Sequence, residues 1–459
     1  MKKVSLFVLL STLLLNSCAP ATTIISTVMP TATLPIETNA PELTPTPENE
    51  KPSVELLNSS VEPYAKAWEL DSQQVINRLV FVKVQGKDGH IYQLIVDPGL
   101  NSNDPWANTP LLIRWNNGKG ELVWSDAHIL ELSNITKINF LVSLPEDWYF
   151  NGGRSRELTL ASENFNGVSA QGLYLLWQKP LEETTESDFR IHDAIFSYAQ
   201  KNNMSTILGQ HLVWGYPGIV PDWLKQKNKQ ELLDILGKYI QQVVARYPDV
   251  TIWSVVNEPY AKYDGGSSND FWGQKFGEND YSWIETAFNS AHQVNPNAKL
   301  ILNDFAIEIP GTTGFDANQL NRIIKIGQYL KNHNVPISGI GLQMHMYAKD
   351  FSSAEKTRQL IGAFAKNIKL LEEVYGEVMI TELDLIQDGP NQEMDQARGY
   401  DAIVNTALDN GITTIDVFGI TDPDSWKPDN KPLLFDASLN PKTSYYAVLQ
   451  ALYESLKSR

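Results

Sequence analysis

The chain has 459 residues, 42% of them hydrophobic, and a formal net charge of −17. That apolar fraction supports a substantial core and excludes global disorder. The acidic balance repels phosphate backbones and argues against nucleic acid as a partner. No Lys/Arg cluster points to an anionic membrane surface. The one cysteine, Cys18, allows no internal disulfide and no cysteine-built zinc site. The seven histidines are scattered, without a close pair or a His-Glu-x-x-His motif, so no metal and no other cofactor is expected.

In chain order, Lys2 and Lys3 precede an apolar run from Val4 to Leu15, which predicts a signal peptide over residues 1–17. The run is too short to span a bilayer as a mature helix. Its end, Leu15-Asn16-Ser17-Cys18, resembles a bacterial lipobox. That resemblance implies cleavage before Cys18 and lipidation of its sulfur, an extracellular or cell-surface location, and membrane contact through this N-terminal anchor only. Residues 18–56 are rich in Thr, Pro, Ala and Glu, with Pro45 and Pro47 between threonines, and read as a disordered tether. Residues 57–135 read as a small β-rich appendage. Leu79–Val84 and Ile91–Val96 flank a Gly86-Lys87-Asp88-Gly89 turn, and Leu111–Trp115 and Glu121–Trp124 flank Asn116-Asn117-Gly118.

From 136 to 459 the rhythm changes. Short apolar runs at Ile138–Leu144, Leu173–Trp177, Ser205–Leu208, Thr251–Val256, Lys299–Asn303, Gly339–His345, Val378–Leu383 and Thr414–Phe418 alternate with amphipathic stretches. The stretches include Phe189–Lys201, Lys229–Arg246, Leu320–Asn332, Ala354–Tyr375 and Glu393–Asn410. Apolar strands alternating with helices predict parallel strands buried on both faces. Eight such units predict an α/β fold of the (β/α)8 TIM-barrel type. An open doubly wound sheet would bring a Gly-rich phosphate loop after an early strand, and none is present.

In a barrel of this type, function sits at the C-terminal ends of the strands. The runs end in Gln210-His211, Asn257-Glu258, Asn303-Asp304, Gln343 with His345, and Glu382 with Asp384. Five polar endings converging on one rim predict a site. Cleavage of a glycosidic bond needs a proton for the leaving oxygen and a negative group facing the anomeric carbon, and two carboxyls supply both. Glu258 and Glu382 end the fourth and seventh strands, which face each other across the mouth. Asn257 is suited to a sugar 2-hydroxyl, and His345 to holding a carboxylate in place. A serine-nucleophile esterase would carry a Gly-x-Ser-x-Gly elbow, which is absent.

These segments resemble glycoside hydrolase family 10, the β-1,4-xylanases. Trp253-Ser254-Val255-Val256-Asn257-Glu258-Pro259 is similar to its acid/base motif, and Val378-Met379-Ile380-Thr381-Glu382-Leu383-Asp384 to its nucleophile motif. Leu300 to Phe305, Gly339 to His345, Leu212-Val213-Trp214 with Pro221-Asp222-Trp223, and Gly419 to Asp422 with Ser425-Trp426 follow in the family's order. The resemblance implies Glu258 as acid/base and Glu382 as nucleophile. It places Asn257, Gln343 and His345 around the distorted sugar, with Trp214 and Trp426 as aromatic walls. His211 is expected to contact substrate, and Asp304 and Asp384 to support the site. The implied activity is retaining endo-β-1,4-glycanase, with xylan the first substrate and an oligosaccharide or polysaccharide the only other partner.

The departures are specific. Where the family binds the glycone with a Glu-Asn pair and a lysine, this chain has Gln171, Gly172 and Leu175. The family's histidine after the third strand becomes Gln210 beside His211. The next histidine becomes Gly215, and the first Trp of the eighth-strand motif becomes Phe418. A related barrel acting on another β-glycan is therefore the alternative substrate reading. A non-catalytic glycan-binding surface lipoprotein is the alternative class, and the presence of both glutamates counts against it.

Overall fold

The computed structural model describes residues 128–144, 154–263, 268–309 and 318–456, together with short strands between residues 79 and 124. The leader, the tether and Cys18 lie outside the described residues. In the appendage, Leu79–Val80 and Val84–Gln85 both pair antiparallel with Ile91–Val96, so the first expected strand is two short pieces. Ile91–Val96 pairs antiparallel with Leu111–Asn116, which pairs antiparallel with Lys119–Trp124.

Eight parallel strands close a barrel: β1 Asn139–Leu144, β2 Gly167–Ala170, β3 Thr206–Gly209, β4 Ile252–Asn257, β5 Lys299–Asp304, β6 Gly339–Leu342, β7 Glu377–Ile386 and β8 Thr414–Val417. Each pairs in parallel with the next, and β8 pairs back onto β1. The sequence misplaces one strand. Leu173–Gln178, an apolar run, is a 3-10 segment, and β2 is the small-residue stretch before it. Gly172, at φ 83°, ends the extended chain between them. Leu173 and Trp177 are buried beyond that break, so the run is apolar because it packs over the barrel rim.

The helices follow their apolar periodicity. In Lys229–Arg246, the residues Leu232, Leu236, Tyr239, Ile240, Val243 and Val244 form one buried stripe. Its start is fixed by a reciprocal capping box: Asn228 Oδ1 accepts from Glu231 N (3.0 Å), and Glu231 Oε2 accepts from Asn228 N (2.9 Å). Truncating Leu236, which is fully buried, to Ala would cost about 2–5 kcal/mol.

Inside the barrel the strands stack two tiers. Leu141, Leu208, Ile252, Ile301 and Met379 form a separate apolar cluster. Two residues further along each strand, on the same face, stand Ser143, Gln210, Ser254, Asn303 and Thr381, all fully buried. This upper tier is polar because it supports what lies above it. Gly341 on β6 belongs to this level, and a Cβ there would overlap the Asn303 and Thr381 side chains. Among the described residues, no helix is long and apolar enough to cross a membrane.

Candidate active site

Two strands carry the carboxyl pair, and both are irregular near it. The β4–β5 register shifts between Ser254 and Val256, and the β7–β8 register between Ile380 and Leu383. Bulges of this kind re-aim side chains and recur beside active sites. Glu258 follows the last residue of β4 in the left-handed region, φ 52°, with its N–H donating to Asn303 O (2.9 Å). A non-glycine residue there is held against its preference by its surroundings. The third and sixth strands break and then resume as Val213–Trp214 beside β4 and His345–Tyr347 beside β7. The breaks bring His211, Gln343 and His345 to the carboxyls.

Glu382 is surrounded by two histidines and an amide donor. His345 Nε2 lies 3.3 Å from Glu382 Oε2, and His345 Nδ1 lies 3.0 Å from Asp384 Oδ1. His211 Nε2 lies 3.4 Å from Glu382 Oε1, and Asn303 Nδ2 donates to the same oxygen (2.7 Å). Burial pushes the Glu382 carboxyl up, but the hydrogen bonds and charges of His211 and His345 outweigh it and bring the group down to about 2. Burial works against charge on His345 too. Asp384 and Glu382 outweigh it, so the ring titrates well above the usual histidine range and is an imidazolium at neutral pH.

Glu258 has only neutral donors. Gln343 Nε2 donates to its Oε1 (2.8 Å) and Trp214 Nε1 to its Oε2 (2.9 Å), while the Tyr263 hydroxyl also bonds it. Burial raises the Glu258 carboxyl, these bonds pull it partly back, and the negative Glu382 raises it further, for a net upward shift. Asn257 ties the two sides together. Its Oδ1 accepts from Asn303 (2.9 Å) and Gln343 (3.2 Å), which fixes the orientation of its amide.

Most of the expected residues converge here, with two changes of role. His211 was expected to touch substrate, but both of its ring nitrogens are engaged by protein, Nδ1 with Ser254 Oγ at 2.7 Å and Nε2 with Glu382. Asp304 was expected to support the site, but strand alternation turns its carboxylate away, to Gln319 Nε2 (2.6 Å) and Phe305 N (2.9 Å). Its neighbour Asn303 is the residue that reaches Glu382. Asp384 accepts from His345 and from Trp426 Nε1 (2.6 Å), and Trp426 offers its ring to the cleft at 51% exposure. Trp214 stands against Tyr174 and stacks with Tyr216, giving the Glu258 side an aromatic wall.

Sequence reading gave Asn303 no role beyond a polar strand end, and missed Ser254, Tyr263 and Asp270. Asn303 and Ser254 sit inside quoted motifs, and strand alternation would have singled them out. Tyr263 and Asp270 lie in the excursion after Glu258, where no periodicity marks them. Asp270 fills the space that Gly215 leaves empty, since a Cβ on Gly215 would collide with its carboxylate. Burial raises Asp270 to about 7.

One ionised carboxylate and one raised carboxyl across a barrel mouth form the pair that glycoside hydrolysis requires. Among the described residues, no group of His, Cys, Asp or Glu is arranged to hold a metal ion. The fold is shared with xylanase 10B of Thermotoga petrophila RKU-1 in complex with xylobiose, at TM-score 0.63 and 26% identity, over 73% of this chain and 99% of that one. Native xylanase 10B of Thermotoga maritima matches equally, at TM-score 0.63 and 27% identity, over 72% of this chain and 100% of that one. In sequence the chain is 31% identical over 317 residues to endo-1,4-beta-xylanase B of Thermotoga neapolitana, covering 66% of this chain and 85% of that enzyme. It is 32% identical over 264 residues to endo-1,4-beta-xylanase 2 of Claviceps purpurea, covering 57% of this chain and 72% of that enzyme. The family profile "Glycosyl hydrolase family 10" matches residues 145–451, which takes in every strand after β1, and the chain belongs to that family.

Proposed function

We propose that the protein is a retaining endo-1,4-β-xylanase with Glu382 as nucleophile and Glu258 as acid/base. The observation that carries this is the opposite surroundings of the two carboxyls: two histidines, one of them an imidazolium, around Glu382, and neutral donors around Glu258. In the first step a Glu382 oxygen attacks the anomeric carbon while Glu258 gives its proton to the glycosidic oxygen. The C–O bond breaks and a glycosyl-enzyme forms. In the second step the Glu258 carboxylate takes a proton from water, the water oxygen attacks the anomeric carbon, and Glu382 leaves. Asn257 N–H2 meets the 2-hydroxyl, a contact that strengthens in the transition state. Trp426 supplies an open ring face for a sugar.

The relatives support xylan as the substrate, being named as endo-1,4-beta-xylanases. A second reading, another β-glycan, is favoured by the glycone side. Gln210 spends its side-chain amide N–H2 on Thr381 O (3.0 Å) and turns away from the sugar. A site that has lost hydroxyl partners loses efficiency toward the sugar they served. Product analysis on a panel of xylans and β-glucans decides between the two. Xylo-oligosaccharides, with the β-anomer released first, are the expected products. Release from a glucan alone would move the assignment to the second reading.

The address is proposed from residues 1–56 alone: a leader cleaved before Cys18, lipid on its sulfur, and a tether holding the catalytic part at the cell surface. Mass spectrometry of the mature N-terminus should find diacylated Cys18. An unmodified terminus beyond Cys18 would refute the anchor.

A further inference from the structure

We propose that His211 is a positioning residue for Glu382: together with Ser254 it forms a second histidine clamp, additional to His345, that keeps the nucleophile carboxylate ionised and aimed. This rests on the assignment of Glu382 as nucleophile. Gln210 turns its side chain down to the backbone of Thr381. The next residue, His211, turns its ring to Glu382.

The geometry fixes the proton. Glu382 Oε1 faces His211 Nε2 at 3.4 Å, and a carboxylate accepts only from N–H. In a neutral ring the proton is therefore on Nε2, and Nδ1 is left as an acceptor. The group facing Nδ1 is the Ser254 hydroxyl at 2.7 Å, which donates to it. The row runs Ser254 Oγ–H to His211 Nδ1, then His211 Nε2–H to Glu382. It has the order of a hydrolytic triad, but Ser254 is fully buried on β4, below the site, and no substrate bond can reach it. The hydroxyl serves to set the tautomer, as the far partner of a catalytic imidazole does elsewhere.

His211 and His345 grip different oxygens of Glu382, Oε1 and Oε2, so the carboxylate cannot rotate without losing one of them. His345 is anchored by Asp384, a charge, whereas His211 is anchored by a neutral hydroxyl. The charged groups that bear on Glu382 are the His345 ring on one side and Glu258, Asp384 and Asp416 on the other. Removing His211 takes away an N–H donor to Glu382 and leaves the negative groups intact.

The test uses the full chain and an aryl β-glycoside, with a good leaving group, of the sugar that the product panel identifies. Its first step needs little protonation, so the acid limb of kcat/KM reads Glu382. In His211→Ala, kcat/KM should fall by about ten- to a hundredfold, the worth of a hydrogen bond to a charged group. The acid limb should move to higher pH by about one unit, with kcat carrying more of the loss than KM. His211→Gln, which restores an N–H donor, should recover part of the rate. Ser254→Ala should move the limb the same way by less, and it decides the matter if His211→Ala does not fold. An acid limb unmoved in a folded variant, with the loss confined to KM, would make His211 a sugar-binding residue and overturn the proposal. The underlying assignment fails separately, by turnover surviving in Glu382→Ala.

Discussion

Glu258 and Glu382 are the same residue type, both buried at one barrel mouth, and their neighbours differ in kind. Glu382 faces two histidines, one of them held as an imidazolium by Asp384. Glu258 faces an amide, an indole and a phenol. Burial raises both carboxyls. Only on the Glu382 side do the two histidines reverse that shift, to about 2, while on the Glu258 side neutral donors leave it raised. The comparison teaches that ionisation is assigned by the charge of the neighbours and not by depth, and that the two roles in hydrolysis follow from it.

Breaking either member should separate the roles. Glu382→Ala removes the covalent route and should abolish turnover on every substrate, aryl glycosides included. Glu258→Ala removes proton transfer alone and should cost about 10²–10⁴-fold on a polysaccharide. On an activated aryl glycoside its first step should survive and show a burst as the glycosyl-enzyme accumulates. Steady-state and stopped-flow rates on both substrates check this. Equal losses from both variants on the aryl glycoside would erase the difference between the two sides.

A smaller effect sharpens the same comparison with a third buried acid. Asp416 on β8 meets only neutral hydroxyls, Ser169 and Ser143, the latter donating to Oδ2 at 2.9 Å. Burial, with no cation to oppose it, holds Asp416 well above the usual carboxylate range. A carboxyl whose folded value is raised above its unfolded one contributes stability below the unfolded value, near pH 4, and loses it as pH rises through the folded value. Asp416→Asn cannot ionise. The Tm of the variant minus that of the parent should therefore rise between about pH 5 and pH 8. A difference that stays flat over that range would mean Asp416 meets its charge with a partner after all. Glu382 carries the opposite sign, since its depressed value makes its contribution fade only as pH falls toward about 2.

The barrel was legible in the sequence because seven of its strands are continuous apolar runs, and the carboxyl pair because Glu258 closes such a run and Glu382 interrupts another, although β7 itself continues to Ile386. The exception, β2, is Gly-Val-Ser-Ala, too short and too small to register as apolar. The louder signal beside it, Leu-Tyr-Leu-Leu-Trp, belongs to a rim segment. Within the site, contacts between neighbouring strand ends were readable and contacts across the mouth were not. Asp304 drew attention for its charge, yet period-two alternation gives the inward place to Asn303. His211 was legible as a polar strand end, but its engagement with Glu382 depends on β3 and β7 lying across the barrel from each other. Tyr263 and Asp270 sit in an irregular loop, and only the folded chain brings them beside Glu258 and Gly215.

The central claim, that Glu258 protonates and Glu382 attacks, is tested most directly by adding azide to Glu258→Ala. The glycosyl-enzyme on Glu382 then waits for a nucleophile that needs no general base. A small anion entering the vacated side should restore turnover and give the β-glycosyl azide, two inversions making one retention. An α-azide from Glu258→Ala, or azide rescue to the β-azide with Glu258 intact and Glu382 removed, would contradict the assignment.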